Sequence, residues 1–325
     1  MAIIETKGLT KTYDEIHAVD GIDLSIEKGE IFGLLGPNGA GKSTTIGMLC
    51  TIIRPTSGMA KVAGHDIVKE PAKVRKCVGI VFQDPTLDTV LTGRENLELH
   101  ARLYGVPKPL MEERIAEVLK LVDLEARADN ITRTYSGGMR RRLELARGLL
   151  HNPKVLFLDE PTLGLDPQTR ARTWEYIRKM TKTEGTTVVL TTHYMEEAEM
   201  MCDRVGIIDH GKIIAIDSPK ELEKLMGGYK VNLKVKDPPV ETIKGLSYVK
   251  AVTQDGEDLE ITMEDAHLHL PDLLSKIPNI QSVETRAPTL NDVFIKLTGR
   301  DIRDEGEEDS GGWVTQVARY QQRGK

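Results

Sequence analysis

The sequence predicts an α/β domain built on a mostly parallel sheet, followed by a small α+β domain. Over the first 220 residues, short β-branched runs alternate with helical patterns, as in strands joined by crossover helices. Four of these runs are almost continuously apolar, which is typical of strands buried on both faces of a parallel sheet. A glycine-rich stretch also stands between one predicted strand and the following helix, where a phosphate-binding loop would lie.

The order of the elements predicts three parts within the first domain. The predicted core strands are Glu30–Leu35, Val78–Phe82, Val155–Leu158, Thr187–Thr191 and Val205–Ile208. Residues 3–13 and 17–30 alternate more loosely in polarity and predict an antiparallel layer. Residues 93–150 form three helix-like segments, so a helical subdomain is expected over about 88–150.

The remainder of the chain changes character near residues 223–230, where two glycines follow a helical segment. We therefore expect a first domain over 1–222 and a small α+β domain over 230–299. Six carboxylates and two arginines occupy the first ten residues of 300–325, a composition that predicts a mobile acidic tail.

Composition and charge limit the possible functions. The 39% hydrophobic and 29% charged content is ordinary for a soluble protein, and the net charge of -6 argues against a nucleic-acid partner. Cys50, Cys77 and Cys202 lack metal-ligand spacing and are expected to be small core residues in a reducing compartment. No signal peptide and no apolar run of about 20 residues is evident. We expect a cytosolic chain, and any membrane role must come through a partner.

The stretch "GLLGPNGAGKSTT" fits the pattern G-x-x-x-x-G-K-[ST] at Gly36, Gly41, Lys42 and Ser43. Glycines allow successive backbone N–H groups to point at an anion, and the following helix adds the positive end of its dipole. Lys42 would carry charge to the terminal phosphates, and the Ser43 hydroxyl could bind Mg²⁺. A glycine-rich turn without a ligand is the alternative, and the strand, spacing and helix together disfavour it.

Polar side chains at the ends of other strands complete a hydrolytic set. Asp159 and Glu160 follow a buried strand, where Asp159 could hold Mg²⁺ and Glu160 could polarise water. Gln83 and His193 end two more apolar runs and could reach the same edge. Taken singly, the acidic pair could equally cap a helix, and a lone Gln or His there is more often structural. The phosphate loop in the same chain favours the hydrolytic interpretation.

Together these residues resemble the nucleotide-binding subunit of an ATP-binding-cassette (ABC) transporter. The resemblance covers about residues 1–220 and depends on motifs in the family's order, which are Tyr13, the phosphate loop, Gln83, "YSGGM" (135–139), "VLFLDEPT" (155–162), "GLD" (164–166) and His193. It implies a P-loop NTPase fold with a RecA-like α/β core, an antiparallel β layer and a helical subdomain. The cofactors that it implies are ATP and Mg²⁺.

The resemblance also assigns roles residue by residue. The implied nucleotide-binding residues are Tyr13, which would stack on adenine, and Gly36, Pro37, Asn38, Gly39, Ala40, Gly41, Lys42, Ser43 and Thr44. The implied catalytic residues are Glu160, His193 and Lys42, and the implied metal ligands are Ser43, Gln83 and Asp159. In this family Ser136, Gly137 and Gly138 contact the γ-phosphate of ATP held by the other protomer, and Asp166 lies at the dimer seam.

Three features depart from the commonest family pattern or extend it. Tyr135 and Met139 stand where Leu and Gln are more usual, and Leu163-Gly164 replaces a small Ser-Ala pair. Arg140, Arg141 and Arg142 follow the signature motif, where they could stabilise the helix or lie near phosphates, but we expect a solvated basic face.

The C-terminal region narrows the resemblance. "TRAPTLNDVFIKLTGR" (285–300) is similar to the end of the daunorubicin-resistance type of ATPase subunit, which works with a separate membrane-spanning exporter. A dimer-stabilising appendage is equally compatible with residues 230–299. The implied assembly is a homodimer closed around two ATP molecules and bound to a permease at the cytoplasmic face of the membrane.

Two other functions remain as alternatives. A soluble ABC-type ATPase acting on ribosomes or DNA would usually carry a second cassette, a long coiled coil or zinc ligands, and none is evident in the sequence. A catalytically weak regulatory cassette is disfavoured by the presence of Lys42, Glu160 and His193.

Overall fold

The computed structural model describes residues 1–82, 86–192, 194–236 and 238–299. Chain contacts divide these residues into two compact units, one covering Met1–Ile216 and one beginning at Asp217. The predictions made for Gln83, for His193 and for the acidic tail lie outside the described residues.

The first unit alternates strands and helices through the parallel core. Its elements in chain order are β1 (Ala2–Tyr13), β2 (Ile16–Glu27), β3 (Ile31–Leu35), α1 (Lys42–Leu49), β4 (Ser57–Val62), β5 (His65–Asp66), α2 (Pro71–Cys77), β6 (Val78–Val81), α3 (Gly93–Leu103), α4 (Lys108–Leu121), α5 (Gly137–Leu149), β7 (Val155–Asp159), α6 (Pro167–Glu184), β8 (Thr187–Thr191), α7 (Met195–Met201), β9 (Arg204–Asp209) and β10 (Lys212–Asp217). Short 3₁₀ turns at Glu125–Arg127 and Thr132–Thr134 join α4 to α5.

The N-terminal strands form the predicted antiparallel layer. Among the described residues the order of this sheet is β2-β1-β4-β5, and β1 pairs antiparallel with both β2 and β4. Along β2, the buried side chains of Ile22, Leu24 and Ile26 alternate with exposed ones. This period of two gives the layer one apolar face, which packs into the main core together with Phe32 and Phe157.

The second sheet of this unit contains the predicted parallel core. Its order within the described residues is β10-β9-β3-β8-β7-β6, and β3 runs parallel to β8 and β9. All five residues of β3, of β7 and of β8 are buried, as their continuous apolar runs predicted. The five predicted core strands agree with the observed ones to within one residue at each end.

The helical subdomain packs its third helix directly on the sheet. A Cβ built on Gly79 of β6 would lie 2.2 Å from the carbonyl oxygen of Gly148 in α5. Since a real Cβ never approaches backbone so closely, α5 can rest on β6 only because residue 79 is glycine. The helix that begins at the "YSGGM" motif is therefore fixed to the edge strand of the parallel sheet.

The second unit is a small α+β arrangement. Its elements are α8 (Pro219–Lys224), β11 (Tyr229–Val235), α9 (Val240–Lys244), β12 (Val249–Asp255), β13 (Asp258–Met263), α10 (Ala266–Ser275), β14 (Ile280–Arg286) and α11 (Leu290–Thr298). The sheet order within its described residues is β12-β13-β11-β14, with antiparallel pairing throughout. This architecture agrees with the α+β arrangement predicted for this part of the chain.

Within the described ranges, no helix is both long and apolar enough to cross a bilayer.

Three aromatic rings join the helical subdomain to the sheet. The centroids of His100 and Tyr104 are 4.5 Å apart, and Tyr104 stacks on His151 at 4.0 Å. Burial lowers the pKa of His100 to about 3, and it also lowers the pKa of His151. Both imidazoles are therefore neutral in the folded protein near neutral pH, whereas an unfolded chain binds protons below about pH 6.5.

We expect the free energy of unfolding to fall as the pH is lowered from 7 to 5, and His100→Phe to reduce that fall. A base with a depressed folded-state pKa adds no pH dependence above its unfolded pKa and destabilises the fold progressively below it. For His100 this amounts to about 2 kcal/mol at pH 5 relative to pH 7. Denaturant unfolding at both pH values measures the difference. An equal fall in wild type and variant would contradict the assignment.

Candidate functional site

The ends of three buried strands meet at one edge of the parallel sheet. Thr191, the last residue of β8, is in register with Leu34 of β3 on one side and with Asp159 of β7 on the other. Because these strands are parallel, the segments that follow them emerge at the same edge. The phosphate loop and the Asp159-Glu160 pair are therefore neighbours.

The loop between β3 and α1 is shaped by steric exclusion. A Cβ on Gly36 would lie 2.3 Å from the carbonyl oxygen of Ile208, and one on Gly41 would lie 2.4 Å from that of Ala18. Gly41 also has φ of +107°, and it precedes the first residue of α1. Backbone packed this closely to β2 and β9 can form only with glycine at these positions.

Lys42 closes the loop over its own backbone. Its ammonium group donates to the carbonyl oxygens of Gly36 at 2.6 Å and Pro37 at 2.8 Å. A further bond of 3.0 Å from the N–H of Gly211 to the carbonyl oxygen of Ala40 fixes the loop to the end of β9. The amides at the start of α1 and the Lys42 charge thus converge in a preformed anion cradle.

Asp159 is a buried carboxylate beside this cradle. The Thr191 hydroxyl donates to its Oδ1 atom. Burial raises the pKa of Asp159, and the nearby Glu160 raises it further, while the Thr191 hydrogen bond and the Lys42 charge act in the opposite direction. A buried carboxylate held this way is stabilised by an added cation, and a carboxylate with the Ser43 hydroxyl is the type of oxygen donor set that Mg²⁺ prefers.

Glu160 has a strained backbone. Its φ is +46°, a left-handed conformation that side chains other than glycine rarely adopt. Its N–H donates to the carbonyl oxygen and to the hydroxyl of Thr191, both at 3.2 Å. Strain of this kind persists only where neighbouring contacts enforce it, and it is concentrated at functional sites.

The environment of Arg141 was predicted wrongly. The prediction of a solvated basic face fails for this residue, whose side chain is only 8% exposed. Its guanidinium donates to the carbonyl oxygens of Asp159 and Glu160 at 2.8 Å each and of Pro161 at 2.9 Å, and also to that of Phe82. A fixed planar set of five donors suits such a ring of carbonyls, and a solvated lysine would not replace it.

Two more side chains of α5 hold the segment that follows β6. Glu144 accepts from the N–H of Thr86 at 2.6 Å, and Arg147 donates to the Thr86 carbonyl oxygen at 3.0 Å. Phe82 and Thr86 flank the segment containing Gln83, which itself lies outside the described residues. Side chains of one helix therefore anchor both sides of this segment.

A buried carboxylate also supports the segments after β7 and β8. Glu197 of α7 accepts from the hydroxyl of Thr162 at 2.7 and 2.8 Å and from that of Thr192 at 3.4 Å. Arg170 of α6 lies 3.3 Å from the same carboxylate. Thr192 precedes His193, which is outside the described residues.

Ser136 is the N-cap of α5 and is exposed. Its oxygen accepts from the N–H of Met139 at 3.2 Å, and this bond does not use the hydroxyl proton. Apart from its two chain neighbours and the backbone of its own helix, no heavy atom in the described part of the chain lies within 4 Å of a Cβ built on Gly137. The protomer's own packing therefore gives no reason for glycine at this position.

Tyr135 explains the first departure from the usual motif. Its ring is buried, and its hydroxyl donates to the carbonyl oxygen of Arg127 at 2.6 Å. A Cβ on Gly93 would lie 2.4 Å from the same hydroxyl oxygen. Tyr135 therefore has a packing role inside the helical subdomain.

Tyr13 and Asp166 lie at the ends of their elements, Tyr13 at the end of β1 and Asp166 before α6. Tyr13 ends β1, pairs with Ile16, and has the Lys11 ammonium 4.7 Å from its ring centre. Asp166 is the exposed N-cap of α6 and accepts from the N–H of Thr169 at 3.0 Å and its hydroxyl at 2.6 Å. These bonds from Thr169 lower the pKa of Asp166.

Comparison with known proteins identifies this arrangement. Residues 19–163 match the sequence model of the ABC transporter family, and residues 218–298 match the C-terminal domain of ATP-binding proteins like DrrA1-3. The daunorubicin/doxorubicin resistance ATP-binding protein DrrA of Streptomyces peucetius is 40% identical over 316 residues, covering 94% of this chain and 96% of that protein. The chain belongs to the ATP-binding proteins of ABC transporters. As a member of this family it is an ATPase that works with a membrane-spanning partner.

Other similar proteins agree with this assignment. The linearmycin resistance ATP-binding protein LnrL of Bacillus subtilis is 40% identical, covering 93% of this chain and all of that protein. Among solved structures, the dimeric post-hydrolysis cassette MJ0796 bound to ADP and Pi has a TM-score of 0.61 and 29% identity, covering 66% of this chain and 98% of that one. The cassette cbiO1 of Clostridium perfringens has a TM-score of 0.63 and 32% identity, with coverage of 68% and 90%. These neighbours confirm the predicted ABC ATPase fold.

Several residues that shape this ABC site were not predicted from the sequence, above all Arg141, Thr191 and Glu197. A signal for Arg141 was present, because it lies four and seven residues before Leu145 and Gly148 on the buried face of α5. Thr191 lies in a β-branched run, where a structural threonine and a site threonine have the same sequence pattern. The part of Glu197 depends on tertiary contacts with Thr162 and Thr192, which no local pattern predicts.

We expect Gly93→Ala to destabilise the protein by about 1–3 kcal/mol, because its Cβ would overlap the Tyr135 hydroxyl. In a Tyr135→Phe background the penalty should be about half as large, since the overlapping oxygen is gone. Tyr135→Phe by itself should cost about 1 kcal/mol through the lost bond to Arg127. Denaturant unfolding of the two single variants and the double variant gives the coupling energy. Equal penalties for Gly93→Ala in both backgrounds would contradict this packing role.

Proposed function

We propose that this ATPase hydrolyses Mg-ATP as a homodimer and thereby drives export through a separate permease. The observation that carries the proposal is that the site residues of one protomer form two separate groups. The anion cradle, Asp159 and Glu160 share one sheet edge, whereas Ser136 and Gly137 form an exposed helix start whose glycine has no packing role. Such a helix start fits an anion supplied by another subunit.

The nucleotide would be held mainly by the phosphate loop. Its proposed contacts are Gly36, Pro37, Asn38, Gly39, Ala40, Gly41, Lys42, Ser43 and Thr44, with Tyr13 stacking on the adenine. The Lys42 ammonium already bonds two carbonyls of the loop, which keeps its charge over the cradle. A positive charge there stabilises the terminal phosphates and the charge that develops on hydrolysis.

The residues present fit a magnesium ion. Ser43, Asp159 and Gln83 are its proposed ligands, and Thr191 orients the Asp159 carboxylate through a hydrogen bond. When bound, Mg²⁺ would neutralise phosphate charge and shield the buried carboxylate.

Glu160 is the proposed general base. Its carboxylate accepts a proton from the attacking water, and the strained backbone fixes the direction from which it does so. His193 is proposed to hydrogen-bond the terminal phosphate and to complete the orientation of that water.

The second half of each site would come from the other protomer. Ser136, Gly137 and Gly138 would donate to the γ-phosphate through a hydroxyl and backbone amides, with the dipole of α5 directed at the anion. Asp166 is proposed to lie at the seam between protomers, where its bonds with Thr169 already order the start of α6. ATP binding would then close the dimer and hydrolysis would reopen it.

Export is proposed from the relatives. Besides the two resistance proteins, the Nod factor export ATP-binding protein I of Ralstonia nicotianae is 40% identical over 308 residues. These names favour a transporter subunit over a soluble ATPase acting on ribosomes or DNA. We place the protein at the cytoplasmic face of the membrane, bound through its permease and without a nucleic-acid partner. Residues 1–222 would bind nucleotide, and 230–299 would form the accessory or dimerisation domain.

Glu160→Gln should retain ATP binding, lower turnover by at least about 100-fold and accumulate a closed dimer with Mg-ATP. The neutral amide keeps the size of the side chain but accepts no proton from water. Size-exclusion chromatography with Mg-ATP, and with Mg-ADP as the control nucleotide, measures the dimer. A variant that stays monomeric in saturating Mg-ATP would contradict closure around ATP.

Ser136→Ala should lower turnover about tenfold or more while nucleotide affinity of the monomer stays within about twofold. Thr92→Ala is a matched control, because Thr92 caps α3 through the N–H of Glu95 as Ser136 caps α5. Both variants lose an N-cap worth about 1 kcal/mol, but only Ser136→Ala should lose hydrolysis. Equal turnover of the two variants would reject the half-site role.

A further inference from the structure

We propose that Arg141 is a positioning residue that couples the two ATP sites of the dimer. Its guanidinium holds the backbone of Glu160, which serves the protomer's own ATP, while its helix begins at Ser136, which serves the partner's ATP. This inference rests on the proposed function, because only in a head-to-tail dimer do these two residues belong to different sites.

The first half of the coupling is the contact with the catalytic turn. The guanidinium donates to three consecutive carbonyl oxygens, those of Asp159, Glu160 and Pro161, at 2.8 to 2.9 Å. Glu160 has a left-handed φ, and its own N–H is held by Thr191 on the opposite side. The turn is therefore fixed between Arg141 and β8, and the direction of the Glu160 carboxylate depends on both.

The second half is the short, regular path from Arg141 to the signature end of α5. The N–H of Arg140 donates to the carbonyl oxygen of Ser136 at 2.9 Å, so the helix is regular from its first turn. Arg141 follows Ser136 by five positions, which is about 7.5 Å along a helix. A shift of the helix start on binding the partner's nucleotide therefore moves the guanidinium, and through it the Glu160 turn.

The same helix also contacts the segment around Gln83. Arg141 donates to the carbonyl oxygen of Phe82, and it lies 3.3 Å from Glu144, which in turn accepts from the N–H of Thr86. The proposed base and both flanks of this segment are thus connected to one rigid element. Arg141 touches no reacting atom, so its effect is on geometry.

A heterodimer with one active site isolates the coupling. One protomer carries Glu160→Gln, so that its own site cannot hydrolyse, and its wild-type partner hydrolyses ATP completed by the first protomer's Ser136. Arg141 of the first protomer lies outside the one site that still hydrolyses ATP. Adding Arg141→Gln to this protomer can therefore change hydrolysis only by altering α5, which begins at Ser136. We expect single-turnover hydrolysis of radiolabelled Mg-ATP in these tandem-tagged heterodimers to slow about fivefold or more.

Two further variants in the same protomer complete the test. Arg142→Gln removes a guanidinium that bonds the carbonyl oxygen of Val122 at 2.9 Å, in the helical subdomain and away from Glu160, and should leave the rate within about twofold. Arg141→Lys keeps the charge but loses the fork and should give an intermediate rate. Thermal unfolding of each purified variant shows whether it is folded, and Arg141→Lys is the arm to use if Arg141→Gln is not.

The outcomes separate this inference from the proposed function. Unchanged hydrolysis with Arg141→Gln or Arg141→Lys, together with slow hydrolysis when Ser136→Ala is placed in the same protomer, would overturn the coupling and leave the half-site model intact. Unchanged hydrolysis with Ser136→Ala would overturn the half-site model itself and the coupling with it. A loss of similar size with Arg142→Gln would show a structural effect of α5 and would also overturn the specific role of Arg141.

Discussion

The register of β3, β7 and β8 is the constraint on which the site depends. These strands are buried on both faces, so a slip of one residue would turn every side chain toward the opposite layer and disrupt the packing on both faces. The register places Thr191 between Leu34 and Asp159. As a result one hydroxyl can hold the Asp159 carboxylate and meet the N–H of Glu160, beside the loop that follows β3. The geometry of the site residues at this edge therefore depends on the packing of the buried strands that precede them.

That packing also sustains features which are unfavourable locally. Burial raises the pKa of Asp159, and Glu160 adopts a backbone conformation that costs about 1–3 kcal/mol. Both are held by contacts to rigid elements, Thr191 at the end of β8 and Arg141 on α5. The large core around Phe32 and Phe157 provides the stability that offsets these local costs. A site assembled on mobile loops would relax and lose the strained geometry.

The sequence predicted most of the fold, because buried parallel strands and the phosphate loop have strong local signatures. It also predicted which residues end the strands. It did not predict the buried state of Arg141, since a run of three arginines has the local pattern of a solvated face. The use of Arg141 depends on four carbonyl groups from two distant segments, beginning at Phe82 and Asp159. A helix as short as α9, with five residues, has no hydrophobic period from which it could be predicted.

The glycines divide into two groups with different physical reasons. Gly36 and Gly41 are needed by the protomer itself, because a Cβ would meet backbone oxygens at 2.3 and 2.4 Å. Glycine is also needed at residue 79, because a Cβ there would meet a backbone oxygen of α5 where this helix packs on β6. Gly137 differs, since a Cβ there would meet no heavy atom of the described chain within 4 Å beyond its chain neighbours and its own helix backbone, and its φ is not positive. Glycine in a helix also costs stability relative to alanine. A residue that is costly in the protomer and unnecessary for its packing points to a surface shaped for something outside the protomer, and an exposed helix start favours an anion there.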